Sequence, residues 1–249
     1  MNYNPEKHLD TIVVADCLEY MRSMPDDSVD LVFGSPPYED ARTYGIGYRL
    51  KGQAWVDWMV ERWHEMQRVS RGLVVMVVEG RTQNYRWSAT PALLMADLHR
   101  AGYHHRKPSA YHRSGIFGSG GKDYFRNDYE FCVTTCKPGR LRWSDNTACG
   151  HPPKFRPGGS PSYHAKNGRV KKRTYKPPTL ANPGNVIHCK VGKGHMGSNL
   201  AHENEAPFPE ILAERFVRSF CPPGGIVLDP FIGSGTTAAV AIKHGRHFI

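Results

Sequence analysis

Short apolar runs recur along this chain between stretches of helical spacing, and that alternation restricts the fold more than any other feature. Ile12–Asp16 (IVVAD), Val29–Gly34 (VDLVFG), Leu73–Val78 (LVVMVV) and Ile226–Asp229 (IVLD) are short and rich in β-branched residues, and each reads as a buried strand. Leu18, Met21 and Met24 follow helical spacing, and Trp55, Trp58, Met59, Arg62, Trp63, Met66 and Val69 mark a long amphipathic helix. At this spacing the tryptophans suit core packing against a sheet better than cofactor stacking. Thr90 with Pro91 opens another helix, which Gly102 closes. Pro209–Phe220 and the Ala-rich stretch to His244 read as two more. Further strands are expected at Tyr103–Tyr111 and Tyr129–Thr135, flanking the glycine-rich loop 115–121, at Asn185–Lys190, and from Gly245 onward. Strands alternating with helices predict an α/β domain around a mostly parallel sheet. Ligands on such a sheet bind beyond the carboxyl ends of the strands. Asp16, Ser35 to Tyr38, and Asp229 to Thr237 are expected there.

With 249 residues and 39% apolar content, the chain can form one substantial domain with an insertion. No apolar run reaches the length of a membrane span. Met1–Glu6 is polar and lacks the charged-then-apolar order of a signal peptide, so a cytoplasmic protein without a membrane partner is expected. Cys17, Cys132, Cys136, Cys149, Cys189 and Cys221 are scattered, and nothing suggests the export that a disulfide framework would need. A zinc site could be drawn through Cys132, Cys136, Cys149 and His151. Phe131-Cys132-Val133 fits better as a strand with cysteine as a small buried residue, and no metal is expected.

The net charge is +10, and its location matters more than its size. Between Arg140 and Lys176 stand ten basic residues, Arg140, Arg142, Lys154, Arg156, Lys166, Arg169, Lys171, Lys172, Arg173 and Lys176, against one acid, Asp145. Pro, Gly and Ser are frequent there, periodicity is absent, and single aromatics (Trp143, Phe155, Tyr163, Tyr175) are interspersed. A localised basic block of this kind calls for a polyanionic partner, and ordering on binding would suit its composition. A solvated basic loop is the plainer alternative.

Two motifs carry the chemistry. Asp229 ends a strand and is followed by Pro230-Phe231-Ile232-Gly233-Ser234-Gly235-Thr236-Thr237, so the backbone can approach a ligand closely before the next helix. No Gly-Lys-[Ser/Thr] follows, which excludes a phosphate-binding Walker loop. In Ser35-Pro36-Pro37-Tyr38, two prolines end strand pairing and fix φ, leaving carbonyls that only accept. An aromatic ring beside acceptors is what an extruded base needs: a face to stack on and partners for its amino hydrogens. An ordinary proline turn would look the same in isolation.

Together, the motifs resemble the DNA amino-methyltransferases, which methylate adenine N6 or cytosine N4. That family carries a [Asp/Asn/Ser]-Pro-Pro-[Tyr/Phe] tetrapeptide and a Phe-x-Gly-x-Gly loop. Here the tetrapeptide comes first, the basic region second and the loop last, which resembles the permuted beta group. The resemblance runs from Ile12 to Ile249 and is weakest across Arg140–Pro183. It implies a Rossmann-like S-adenosylmethionine-dependent methyltransferase sheet with an inserted basic DNA-recognition region. The expected parts are 1–138 (catalytic), 139–183 (target recognition) and 184–249 (cofactor binding). It implies that Ser35 and the Pro36 carbonyl bond the target amino group, with Pro37 holding the turn and Tyr38 stacking on the base. Asp16, Cys17, Pro207, Phe208, Asp229, Phe231, Gly233, Ser234, Gly235 and Thr236 would border S-adenosylmethionine. The ten basic residues would hold double-stranded DNA.

Serine in the first position is commoner among cytosine-N4 members and aspartate among adenine-N6 members, so cytosine is the expected base and adenine the alternative. A C5-cytosine enzyme would need a cysteine nucleophile, usually in Pro-Cys, which does not occur here. Relatives continue past Gly-Arg-x-Phe-Ile to an acid that binds the cofactor ribose, whereas this sequence stops at Ile249. A fragment, a truncated form and a different ribose contact all remain open. So do a non-catalytic DNA-binding protein of this fold and an enzyme acting on RNA or protein. An active enzyme could be an orphan or the companion of a restriction endonuclease.

Overall fold

The computed structural model describes residues 3–39, 49–115, 120–155, 162–164, 167–168, 170–172, 176–192 and 207–249. A helical turn, α1 (Pro5–His8), and a loop lead to α2 (Cys17–Arg22). Strand β1 (Val29–Gly34) is followed by α3 (Gly52–Val69), which runs directly into β2 (Ser70–Val78). A hairpin of β3 (Thr82–Gln83) and β4 (Arg86–Trp87) precedes α4 (Thr90–Arg100). Next come β5 (His104–His105), β6 (Ser109–Ser114), β7 (Tyr129–Cys136), and a small ribbon of β8 (Ser162–His164) and β9 (Val170–Lys172). The chain closes with β10 (Val186–Lys190), α5 (Glu210–Phe220), β11 (Ile226–Leu228), α6 (Thr236–Lys243) and β12 (His247–Phe248).

The main sheet runs β10-β6-β7-β2-β1-β11-β12, with β5 also paired to β7. β1 is parallel to β2 and β11, β11 to β12, and β10 to β6. β7 is antiparallel to both of its long neighbours, β2 and β6. The sheet is therefore mixed, where the sequence predicts mostly parallel. A run buried along its length, such as Cys132–Cys136, has the same composition in either direction, so its sense leaves no trace in the pattern.

Side chains alternate across the sheet. Leu31, Phe33, Val75 and Val77 pack under Leu212, Phe216 and Val217 of α5 and Ala241 of α6. Val32, Val74 and Met76 pack on the other face, against Met59, Trp63 and Met66 of α3 and Leu94 of α4. Full burial of each such side chain contributes ~1.5–3 kcal/mol. Asp30 joins three strands. It takes a bidentate pair from Arg71 at 2.6 and 2.8 Å and the Ile226 N–H at 2.9 Å.

Ile12–Asp16 is not the strand that its composition predicts. It is a loop outside the sheet, with Ile12 61% and Val14 91% exposed. Asp16 does not end a strand; it is the N-cap of α2, accepting the Leu18 and Glu19 N–H groups at 3.0 and 3.1 Å. Thr90 lies inside α4, whose N-cap is Ala89. Among the described residues no helix is long and apolar enough to cross a membrane.

Candidate active site

The loop before α2, the carboxyl end of β1 and the loop after β11 open onto one cavity of about 660 Å³. Asp16, Cys17, Ser35, Pro36, Pro37, Tyr38, Pro207, Phe208, Phe231, Gly233, Ser234 and Thr236 all line it. Residues up to 220 positions apart in sequence thus meet, with the adjacent, parallel β1 and β11 bringing the two motifs together. The volume suits a small-molecule ligand. Asp229 lies just beneath, on a narrow void shared with Cys17, Pro230 and Ile249. Gly235 caps α6 with φ +80°, a backbone that favours glycine.

Ser35 follows directly on Gly34, the last residue of β1. Its hydroxyl donates to the Val77 carbonyl at 3.2 Å and lies 3.3 Å from the Tyr38 hydroxyl. The Trp55 indole N–H donates to the Pro37 carbonyl at 2.9 Å, tying the two-proline turn to α3. Tyr38 donates to Glu130 Oε2 at 2.6 Å, and Arg113 meets Glu130 Oε1 at 2.9 Å. Glu39, the next residue, is buried and accepts the Gly52 N–H at 2.8 Å, the Arg81 N–H at 3.2 Å and the Thr90 hydroxyl at 3.2 Å.

Asp229 organises the opposite wall. One oxygen accepts the Phe231 N–H at 3.0 Å and the other the Thr237 hydroxyl at 2.6 Å, which folds the loop back over the strand end. Burial pushes its carboxyl up to about 6, against the pull of those two donors. A Cβ on Gly34 would stand 2.3 Å from Asp229 Oδ1, so glycine is what allows β1 to pass this carboxylate.

Two wall residues escape sequence reasoning. Trp58 faces the cavity and packs on Phe231 with ring centroids 5.8 Å apart. Arg62 lies 4.0 Å over the Trp58 ring, with its guanidinium beside the Cys17 sulfur. Burial raises the Cys17 thiol, and Arg62 opposes the rise. Trp55 and Trp63, by contrast, are core residues. Helical spacing puts all of these on the inward half of α3, and only the sheet's edge decides which reach past it.

The basic residues divide. Arg142 pairs with Asp27 at 3.1 Å, and Lys137 also contacts Asp27. Asp27 precedes β1, so Arg142, with the nearby Arg140, sits at the amino edge of the sheet, opposite Ser35. Lys154 and Lys176 are exposed. Arg156, Lys166, Arg169 and Arg173 lie outside the described residues, as does part of the glycine-rich loop, while Lys171 and Lys172 belong to the backbone of β9. Cys132 and Cys136 are buried in β7.

A family model described as DNA methylase, N6/N4 type, matches residues 29–249. The DNA adenine methyltransferase YhdJ of Escherichia coli is 29% identical over 247 residues, covering 96% of this chain and 76% of that protein. The structure of the PvuII DNA methyltransferase, cytosine-N4-specific, superposes with a TM-score of 0.71 at 19% identity, covering 95% of this chain and 79% of that one. A protein of Thermus thermophilus described as a DNA modification methylase was solved with S-adenosyl-L-methionine. It superposes with a TM-score of 0.59 at 25% identity, covering 94% of this chain and 83% of that one.

Proposed function

Because this chain belongs to the N6/N4 DNA methylase family, we propose that it methylates the exocyclic N4 amino group of cytosine in duplex DNA, with S-adenosylmethionine as methyl donor. The observation that carries the reading is the meeting of Ser35–Tyr38 with the Phe231–Thr236 loop on one cavity.

The cavity walls fit the donor. Phe231, Trp58 and Phe208 provide apolar surface, and Gly233 leaves the loop backbone open to approach. The exposed Asp16 carboxylate is already oriented by two N–H groups. Asp16, Cys17, Pro207, Phe208, Phe231, Gly233, Ser234 and Thr236 would hold it, with Asp229 and Gly235 shaping the loop. When bound, it supplies an electrophilic methyl group on a sulfonium.

The chain's own residues prepare the nucleophile. An amino nitrogen on a base is weakly nucleophilic because its lone pair is delocalised into the ring. Ser35 spends its single hydroxyl proton on Val77 or Tyr38, which leaves an oxygen lone pair to accept from the target amino group. The Pro36 carbonyl is the second acceptor. Hydrogen bonds to both amino hydrogens favour a pyramidal nitrogen with its lone pair directed out of the ring plane. The Tyr38 ring, held by Glu130, offers the stacking face.

Ser35 supports cytosine, since serine in this position is commoner among cytosine-N4 members. Adenine N6 is the second reading, favoured by the 29% identity to a DNA adenine methyltransferase. The basic segment from Lys154 to Lys176 would grip phosphates, and a cognate restriction endonuclease is a partner to test. The experiment offers methyl-labelled S-adenosylmethionine with duplex DNA, RNA and total protein in parallel. Label in DNA alone supports the proposal; label in RNA or protein, or none, refutes it.

A further inference from the structure

A base can reach Ser35 and Tyr38 only if the duplex comes to the carboxyl edge of β1 and β2. Arg140 and Arg142 are at the opposite edge, where Arg142 pairs with Asp27. Some other element must meet the helix beside the target base. The β3–β4 hairpin stands there, and its neighbours on both sides belong to the tetrapeptide's surroundings. At its base the Arg81 N–H donates to Glu39, the residue after Tyr38. On the returning strand, at the same base and opposite Thr82, Trp87 stacks on Phe131 at 6.4 Å, next to the Glu130 that binds Tyr38. The Trp87 indole N–H also donates to Glu79 at 2.9 Å. Both strands of the hairpin are thus braced at its base.

Its tip is not used in packing. Gln83 pairs with Arg86, leaving Asn84 and Tyr85 as a two-residue turn with φ of +49° and +62°. Turns of this kind favour Asn-Gly. Asparagine is present, but a tyrosine occupies the glycine position and is 78% exposed. An aromatic ring is kept in a left-handed conformation that disfavours it, on a rigid mount, with no buried surface to account for it. Arg86 beside it is exposed. Between hairpin and tetrapeptide lies a cavity of about 520 Å³, lined by Glu39, Lys51, Arg81 and Arg86. Three of those four are cationic, and Glu39 is already held by three donors.

We infer that the β3–β4 hairpin is a DNA-opening element: Tyr85 enters the base stack beside the target, and Arg86 holds the adjoining phosphate. Apolar and aromatic wedges of this sort unstack a step and lower the cost of extruding its neighbour. The inference rests on the reading of Ser35–Tyr38 as the base-binding motif, and it adds a positioning role that the motif lacks.

The test uses the full chain and Tyr85→Ala, Tyr85→Trp and Arg86→Ala variants, with sheared unmethylated genomic DNA as probe, either duplex or heat-denatured. Equilibrium binding and methyl incorporation are both read. Tyr85→Ala should lose roughly tenfold on duplex DNA in both, and about twofold or less on denatured DNA, where no stack has to open. Tyr85→Trp should restore the duplex signal. Arg86→Ala should weaken duplex binding and reduce its salt dependence by about one ion. Equal losses on both DNA forms, or a Tyr85→Ala variant matching the parent on duplex, would overturn the inference. If the parent chain methylates nothing while Tyr85→Ala still loses duplex binding selectively, the hairpin stands and the catalytic reading falls.

Discussion

The Tyr38 hydroxyl donates to Glu130 across two strand ends, at 2.6 Å, and Arg113 holds the other carboxylate oxygen at 2.9 Å. The stacking ring is therefore fixed by a residue 92 positions away in sequence. Removing Glu130 should leave the ring present but loose. Steady-state methyl transfer should fall roughly tenfold in Glu130→Ala, recover in part in Glu130→Gln, and fall about a hundredfold or more in Tyr38→Ala. Tyr38→Phe, which keeps the ring, should resemble Glu130→Ala. Equal losses in Tyr38→Phe and Tyr38→Ala would mean that the hydroxyl, not the face, is what matters.

Asp229 links pH to stability. Its folded-state carboxyl stands at about 6, raised by burial from an ordinary value of 3.8. A raised acid binds its proton more tightly in the folded state. The associated stability is fully present below about pH 4 and is lost as pH rises through about 6. The shift corresponds to about 3 kcal/mol. The unfolding free energy of the parent chain minus that of Asp229→Asn, from urea titrations, should decline by up to that amount between pH 4 and pH 7. Parallel curves would show that Asp229 is not buried as a charge.

Trp58 and Trp63 lie on one helix but should behave differently. Trp63 is fully buried, with its indole N–H on Thr135 at 2.7 Å, whereas Trp58 lines the cavity against Phe231. Trp63→Ala should cost ~3–5 kcal/mol of stability. Trp58→Ala should weaken S-adenosylmethionine binding roughly tenfold, measured by calorimetry, with a far smaller change in unfolding midpoint.

The basic segment should act unevenly. Neutralising Lys154 and Lys176, both exposed, should weaken duplex binding and lower the slope of log K against log salt by ~0.9 per charge engaged. Arg142→Ala should leave that slope unchanged, because its partner is Asp27 at the far edge. An unchanged slope in the first pair would move the phosphate contacts elsewhere.

Much of this site could be read from the sequence because its parts are local. Ser35–Tyr38 and Asp229–Thr237 each sit at the end of a buried strand, and the period of the flanking residues locates both. What escaped was set by contacts between distant segments. Glu130 is one acid in the run YEFCVTTC, and only the antiparallel return of β7 brings it to Tyr38. Ile12–Asp16 has strand composition, yet Ile12 and Val14 are exposed around the cavity rather than paired. Here, β-branched residues serve a wall and not a sheet, a distinction that periodicity does not carry. Trp58 and Trp55 share a helix face, and only the sheet's edge separates a wall residue from a core residue.

The most direct test of the account is nucleoside analysis of unmethylated duplex DNA after incubation with the full chain and labelled S-adenosylmethionine, with Ser35→Ala in parallel. Label is expected in N4-methylcytosine from the parent chain and is lost in Ser35→Ala. Label in N6-methyladenine would keep the family and contradict the choice of base, and no labelled nucleoside from a folded, DNA-binding chain would contradict the proposed reaction itself.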